Sequence, residues 1–124
     1  MQNNEPREVH RFRIPFKAHS FNQGYRIFGK KFILSKEGRN FKERVENFIK
    51  STYSDYKCHD QPIKVYIEFH FKHSRRLDLD NFSKLFIDSL RGILFVDDSL
   101  IFELNCKKTL GIDNDCINII IEKI

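Results

Sequence analysis

The segment IKVYIEFHFKHSRRLDLDNFSKLFIDSLRG, residues 63–92, decides how this chain is organised. In its first part Ile63, Val65, Ile67, Phe69 and Phe71 alternate with Lys64, Tyr66, Glu68 and His70, which predicts a half-buried β-strand. From Asn81 the period changes. Phe82, Leu85, Phe86 and Leu90 recur at the spacing of one helical face, Asp80 or Asn81 is a good N-cap, and Gly92 is a plausible stop. Between strand and helix lie Arg75, Arg76, Asp78 and Asp80. In an extended arm two residues two apart point to one side, so both carboxylates are expected at one spot. Lys84, four residues after Asp80, is returned towards them by the helix.

Working outward, Asp88, Asp97 and Asp98 join Asp78 and Asp80 in a chain that is otherwise basic. Grouped carboxylates repel one another unless a cation or a buried arrangement offsets the cost. Carboxylate oxygens are the ligands Mg²⁺ and Mn²⁺ prefer. The plain structural reading of Asp78 and Asp80 is a helix cap with a salt bridge to Lys84 or Arg76; the acids in register downstream favour a metal site.

Charge is unevenly distributed. Residues 1–77 carry 17 Lys/Arg against 8 Asp/Glu, a net of +9, and residues 78–124 carry 5 against 9, a net of −4, within the overall +5. Bases neutralise phosphates, and an acidic pocket beside them repels a polyanion unless a divalent cation intervenes. The 124 residues with 13 Phe and no Trp predict a single domain, 1–124, with a Phe-rich core. No apolar run is long enough for a membrane helix, and no apolar signal segment opens the chain, so a cytoplasmic protein without membrane partners is expected. Cys58, Cys106 and Cys116 read as reduced thiols. A zinc site drawn from Cys58, His59, His70 and His73 fits no common ligand spacing.

The remaining elements follow from the same patterns. Residues 1–8 read as disordered. His10, Phe12, Ile14 and Phe16 alternate as a strand, and a small hairpin is expected around Gly29-Lys30. The loop region 17–31 carries Arg26, Lys30 and Lys31, with Asn22 and Tyr25 offering hydrogen bonds and stacking, which is the make-up of a DNA-facing loop. Phe41, Val45, Phe48 and Ile49 predict an amphipathic helix from Glu37 to about Tyr53. Ile101 to Lys108 and Cys116 to Glu122 read as strands that close the fold as a hairpin around Asp113-Asn114. The expected class is α+β: a small mixed or antiparallel sheet with two main helices packed on it.

Asp78-Leu79-Asp80-Asn81, Lys84, the Asp88-Ser89-Leu90 run and Val96-Asp97-Asp98 resemble the signature of the RusA-type Holliday junction resolvases, small endonucleases common in prophages that cut four-way DNA junctions. The resemblance extends to the early strand, to Ser20-Phe21-Asn22 with Tyr25, and to the helix opening near Ser35-Lys36-Glu37-Gly38. It implies a homodimer acting on branched DNA in recombination and repair, with two pockets facing opposed strands of the junction. It also implies Mg²⁺, or Mn²⁺, held by Asp78, Asp80 and one of Asp97 and Asp98, with Asp98 the favoured match. Lys84 would stabilise developing charge on the phosphoryl or leaving group. Arg75 and Arg76 would grip flanking phosphates, and Asn81 would hold a backbone phosphate or orient an acid. Two other readings share these residues: a non-catalytic basic DNA-binding protein, and a nuclease for other branched DNA or RNA.

Overall fold

The computed structural model describes residues 8–20, 24–73, 78–111 and 113–124. Strand β1 (Val9–Ile14) is followed by a hairpin, β2 (Tyr25–Phe28) and β3 (Lys31–Leu34), helix α1 (Lys36–Thr52), strand β4 (Ile63–Phe71), helix α2 (Leu79–Leu90), a 3₁₀ turn (Asp98–Leu100), strand β5 (Ile101–Leu110) and strand β6 (Cys116–Lys123). The class is α+β, as expected. The main sheet has the order β1-β6-β4-β5, and β2-β3 is a separate two-stranded ribbon.

Strand β4 owes its central place to its alternation. Ile63, Val65, Ile67, Phe69 and Phe71 are at most 1% exposed, and each such buried side chain stabilises the fold by roughly 1.5–3 kcal/mol relative to exposure. Both helices pack against this side. Phe82 meets Phe69 and Phe71, and Phe86 meets Phe69 and Phe41, with ring centroids 4.9–6.4 Å apart. The opposite side of β4 carries Tyr66, Glu68 and His70, all half-buried. There Glu68 accepts hydrogen bonds from Tyr66 (3.0 Å) and Thr109 (3.0 Å) and pairs with His70 (2.6 Å).

Two expectations about the elements are corrected. Strands β5 and β6 do not form a hairpin with each other: β4 lies between them, parallel to β5 and antiparallel to β6. The reason is burial. Strand β6 contributes Ile117, Ile119 and Ile121, all fully buried, and so takes a central position. Helix α2 carries the chain back across the sheet, so β5 runs parallel to β4. The second correction concerns α2, which starts at Leu79 with Asp78 as its cap residue. Asp80 is therefore helical and is not on an extended arm.

Helix α1 begins where the sequence places it, with the Ser35 hydroxyl accepting from the Gly38 N–H at 3.0 Å. Gly38 is required there by close approach: a Cβ would lie 2.1 Å from the carbonyl oxygen of Gly24. Gly24 in turn presses on Leu85 of α2, and its carbonyl accepts from Ser35 N–H at 2.9 Å. The base of the β2–β3 hairpin is thus clamped between the two helices. The three cysteines are free, and no described helix is long and apolar enough to cross a membrane. Glu8, which the sequence reading places in a disordered tail, accepts from the Lys123 N–H at 3.0 Å.

Candidate active site

Asp78 and Asp80 sit at the N-terminal end of α2. Both are exposed, and the Asp78 side chain makes no capping hydrogen bond to the helix. Helix N-termini carry partial positive charge and favour ionised carboxylates. Asp80 also faces towards β5, where its charge, after burial, raises the pKa of the Cys106 thiol. Asn81 is half-buried on the next step of the helix, and its N–H donates to the Asp78 carbonyl at 3.0 Å.

Lys84 follows one turn on, 62% exposed, with its Nζ 3.8 Å from Asp88 Oδ2. Asp88 also accepts a hydrogen bond from the Tyr25 hydroxyl. Burial first, and then this carboxylate, pushes the Tyr25 phenol well above its ordinary range, so Tyr25 remains a donor at physiological pH. A chain of contacts therefore runs from the hairpin through Tyr25 and Asp88 to Lys84. The contribution of Asp88 as a brace for Lys84 was legible in the i, i+4 spacing; that of Tyr25, 63 residues away in sequence, was not.

Asp97 and Asp98 lie at the other end. Asp97 caps the 3₁₀ turn by accepting from the Ser99 N–H at 3.2 Å and lies 4.0 Å from the guanidinium of Arg91, which follows the last residue of α2. The Ser99 hydrogen bond is the main reason its carboxyl is held below the usual range. Asp98 is exposed. The 12-residue helix α2 spans about 18 Å, whereas ligand oxygens on one Mg²⁺ sit at 2.0–2.1 Å from the ion. Within one chain, then, Asp98 does not join Asp78 and Asp80. Asp78 and Asp80 thus lie at one end of α2 and Asp98 beyond the other, and the cause is topological. A parallel strand reached through a crossover helix starts at the end of the sheet where its neighbour starts, and Ile101 accordingly pairs with Ile63.

Of the residues expected to bind DNA, Arg26, Lys30 and Lys31 are exposed on the β2–β3 hairpin. Around them Ile27, Phe28 and Phe32 are 71%, 76% and 61% exposed. Arg75, Arg76 and Asn22 lie outside the described residues.

Residues 15–122 match the family model described as endodeoxyribonuclease RusA. The chain belongs to the RusA endodeoxyribonuclease family. Over 90 residues it is 31% identical to crossover junction endodeoxyribonuclease RusA of Enterobacteria phage 82, and likewise to the protein of that name from Shigella sonnei, covering 72% of this chain and 74% of each relative. The resemblance read from Asp78-Leu79-Asp80-Asn81 and Lys84 thus holds at the level of the family.

Proposed function

We propose that this chain is a Mg²⁺-dependent, structure-selective endodeoxyribonuclease that resolves four-way DNA junctions by paired symmetric nicks, and that it does so as a homodimer whose active sites are each built from two copies. Mn²⁺ would serve as a substitute. The observation that carries the reading is the pair of exposed carboxylates, Asp78 and Asp80, at a helix N-terminus and one turn from Lys84. An all-oxygen donor set of this kind fits Mg²⁺. Bound there, the ion would supply Lewis-acid activation of water and phosphate.

The homodimer is supported by strand β5. It is an edge strand on which Phe102, Leu104 and Leu110 are 68%, 44% and 41% exposed. An unpaired edge of this kind recruits another strand. Antiparallel pairing of two copies along this edge would run the two β5 strands in opposite directions, so that the Ile101 end of one lies towards the Leu110 end of the other. Each pocket would then hold Asp78 and Asp80 from one copy and Asp98 from the other. A two-fold enzyme suits a two-fold junction.

In that pocket Asp78, Asp80 and Asp98 would hold the cation, which would screen their charge from the DNA. Lys84, steadied by Asp88, places its ammonium where negative charge grows on the phosphoryl group or the departing oxygen. Asn81 would hold a backbone phosphate, and Arg75 and Arg76, next to each other in sequence, would grip phosphates flanking the cut. Arg26, Lys30 and Lys31 hold phosphates further out, while Phe28 and Phe32 offer faces to unstacked bases.

The test is a nicking assay on a synthetic four-way junction with and without Mg²⁺. Asp80→Asn should leave junction binding intact and lower cleavage on the order of a thousandfold, about 4 kcal/mol of transition-state stabilisation. Equal cutting by both proteins would place the chemistry elsewhere. Salt-sensitive binding with no metal-dependent cleavage in either would make the chain a non-catalytic DNA-binding protein. A panel of flapped and branched substrates decides between junctions and other branched DNA.

A further inference from the structure

A second group of metal-ligating side chains lies away from the aspartates. Glu8, His10 and His59 each offer a ligand atom, and these atoms all lie within 4.8 Å of one another. His10 Nε2 is 2.8 Å from Glu8 Oε1. His59 is 9% exposed, and its Nε2 is buried with no hydrogen-bond partner among the described residues. A buried imidazole nitrogen without a partner loses its hydration and receives nothing in return. Here the ring that carries it lies beside a second imidazole, with centroids 5.3 Å apart, and within reach of a carboxylate.

The rings are fixed from outside the cluster. Tyr56 packs edge-on against His10 with centroids 5.1 Å apart and lies 5.7 Å from the His59 ring, while its hydroxyl donates to the Leu94 carbonyl at 2.5 Å. The His59 backbone is tied on both sides, donating to Leu94 at 3.0 Å and accepting from Val96 at 2.9 Å. Lys123 lies near enough to act on both Glu8 and His59, and its charge opposes a cation there.

We infer that Glu8, His10 and His59 form a binding site for a first-row transition cation of the zinc class, clipping the start of β1 to the connection between α1 and β4, which is itself hydrogen-bonded to Leu94 and Val96. Two imidazoles and one carboxylate suit Zn²⁺ rather than Mg²⁺. Tetrahedral ligands at Zn²⁺ distances are about 3.3 Å apart, so the three groups close in modestly as the His10–Glu8 hydrogen bond gives way to two bonds to the ion. Water completes the shell. The zinc grouping considered from sequence used His59 with the wrong partners: His70 is engaged with Glu68 on the far side of β4. The clip holds Leu94 and Val96, next to the acids at the C-terminal end of α2, and its existence does not depend on the nuclease reading.

The experiment is titration of metal-stripped protein with Co²⁺, followed by visible absorption, with Zn²⁺ and Mg²⁺ as competitors and thermal unfolding in parallel. One equivalent of Co²⁺ per chain should give ligand-field bands that Zn²⁺ removes and Mg²⁺ does not, and Zn²⁺ should raise the melting temperature. His59→Gln and the surface change Glu8→Gln should each abolish the bands with circular dichroism unchanged; Cys58→Ser and Asp80→Asn should retain them. Bands that survive Glu8→Gln in folded protein, bands that vanish with Cys58→Ser or Asp80→Asn, or no uptake of Co²⁺ by folded wild-type protein would each overturn the site.

Discussion

The two ends of helix α2 both carry a pair of aspartates, and they are built differently. At the N-terminal end Asp78 and Asp80 are exposed, and Asp78 makes no capping bond. At the C-terminal end Asp97 is engaged with Ser99 and Arg91, while Asp98 is exposed beside it. A carboxylate that caps a turn is accounted for by local structure. One that stands exposed near like charges meets a repulsion that a helix N-terminus offsets only in part. The difference agrees with the proposal that Asp78, Asp80 and Asp98 hold a cation, while Asp97 shapes the turn next to Asp98.

The sharpest way to break this contrast is at Asp98. Asp98→Asn should lower Mg²⁺-dependent junction cleavage on the order of a thousandfold, measured as single-turnover nicking with the enzyme in excess. An unaffected rate would remove Asp98 from the site. Next, the separation of the two ends predicts rescue between inactive variants. If pockets form between copies, a heterodimer of Asp80→Asn with Asp98→Asn contains one pocket with every acid intact. Random co-assembly should then restore about a quarter of wild-type nicking. Pockets formed within single copies would give none.

Lys84→Met should lower the cleavage rate about a hundredfold with little change in junction binding, because its 62% exposed ammonium is paired with Asp88 and not with a core contact. A loss of binding with an unchanged rate of cutting at saturation would make Lys84 a phosphate anchor. The smallest effect belongs to Asp97→Asn, which should leave nicking within a few-fold of wild type. The pKa of Asp97 is depressed in the folded protein, so its stabilising contribution is present at neutral pH and fades as the pH falls through the ordinary carboxylate range. The difference in stability between Asp97→Asn and wild type should therefore shrink in acid. A loss of cleavage as large as that of Asp98→Asn would exchange their roles.

Much of the fold was legible in order along the chain. The alternation of Ile63 to Phe71 marked β4, the spacing of Phe41, Val45 and Ile49 marked α1, and Gly29-Lys30 marked the hairpin turn. These are local signals, set by periodicity and by a glycine at positive φ. The pairing of strands was not legible in the same way. Two alternating segments joined by a turn read as a hairpin, and only the competition for the most buried positions seats β4 between β5 and β6.

The sequence by itself determined the chemistry on offer: which acids, which lysine, a basic half and an acidic half, and membership of a nuclease family. It could do so because residue type and short-range spacing carry that information. Tertiary structure decided which groups meet. It set Asp98 at the far end of α2 from Asp80, drew Tyr25 to Asp88, and gathered Glu8, His10 and His59. Strand direction and crossover geometry govern such meetings, and these follow from how the whole core is filled.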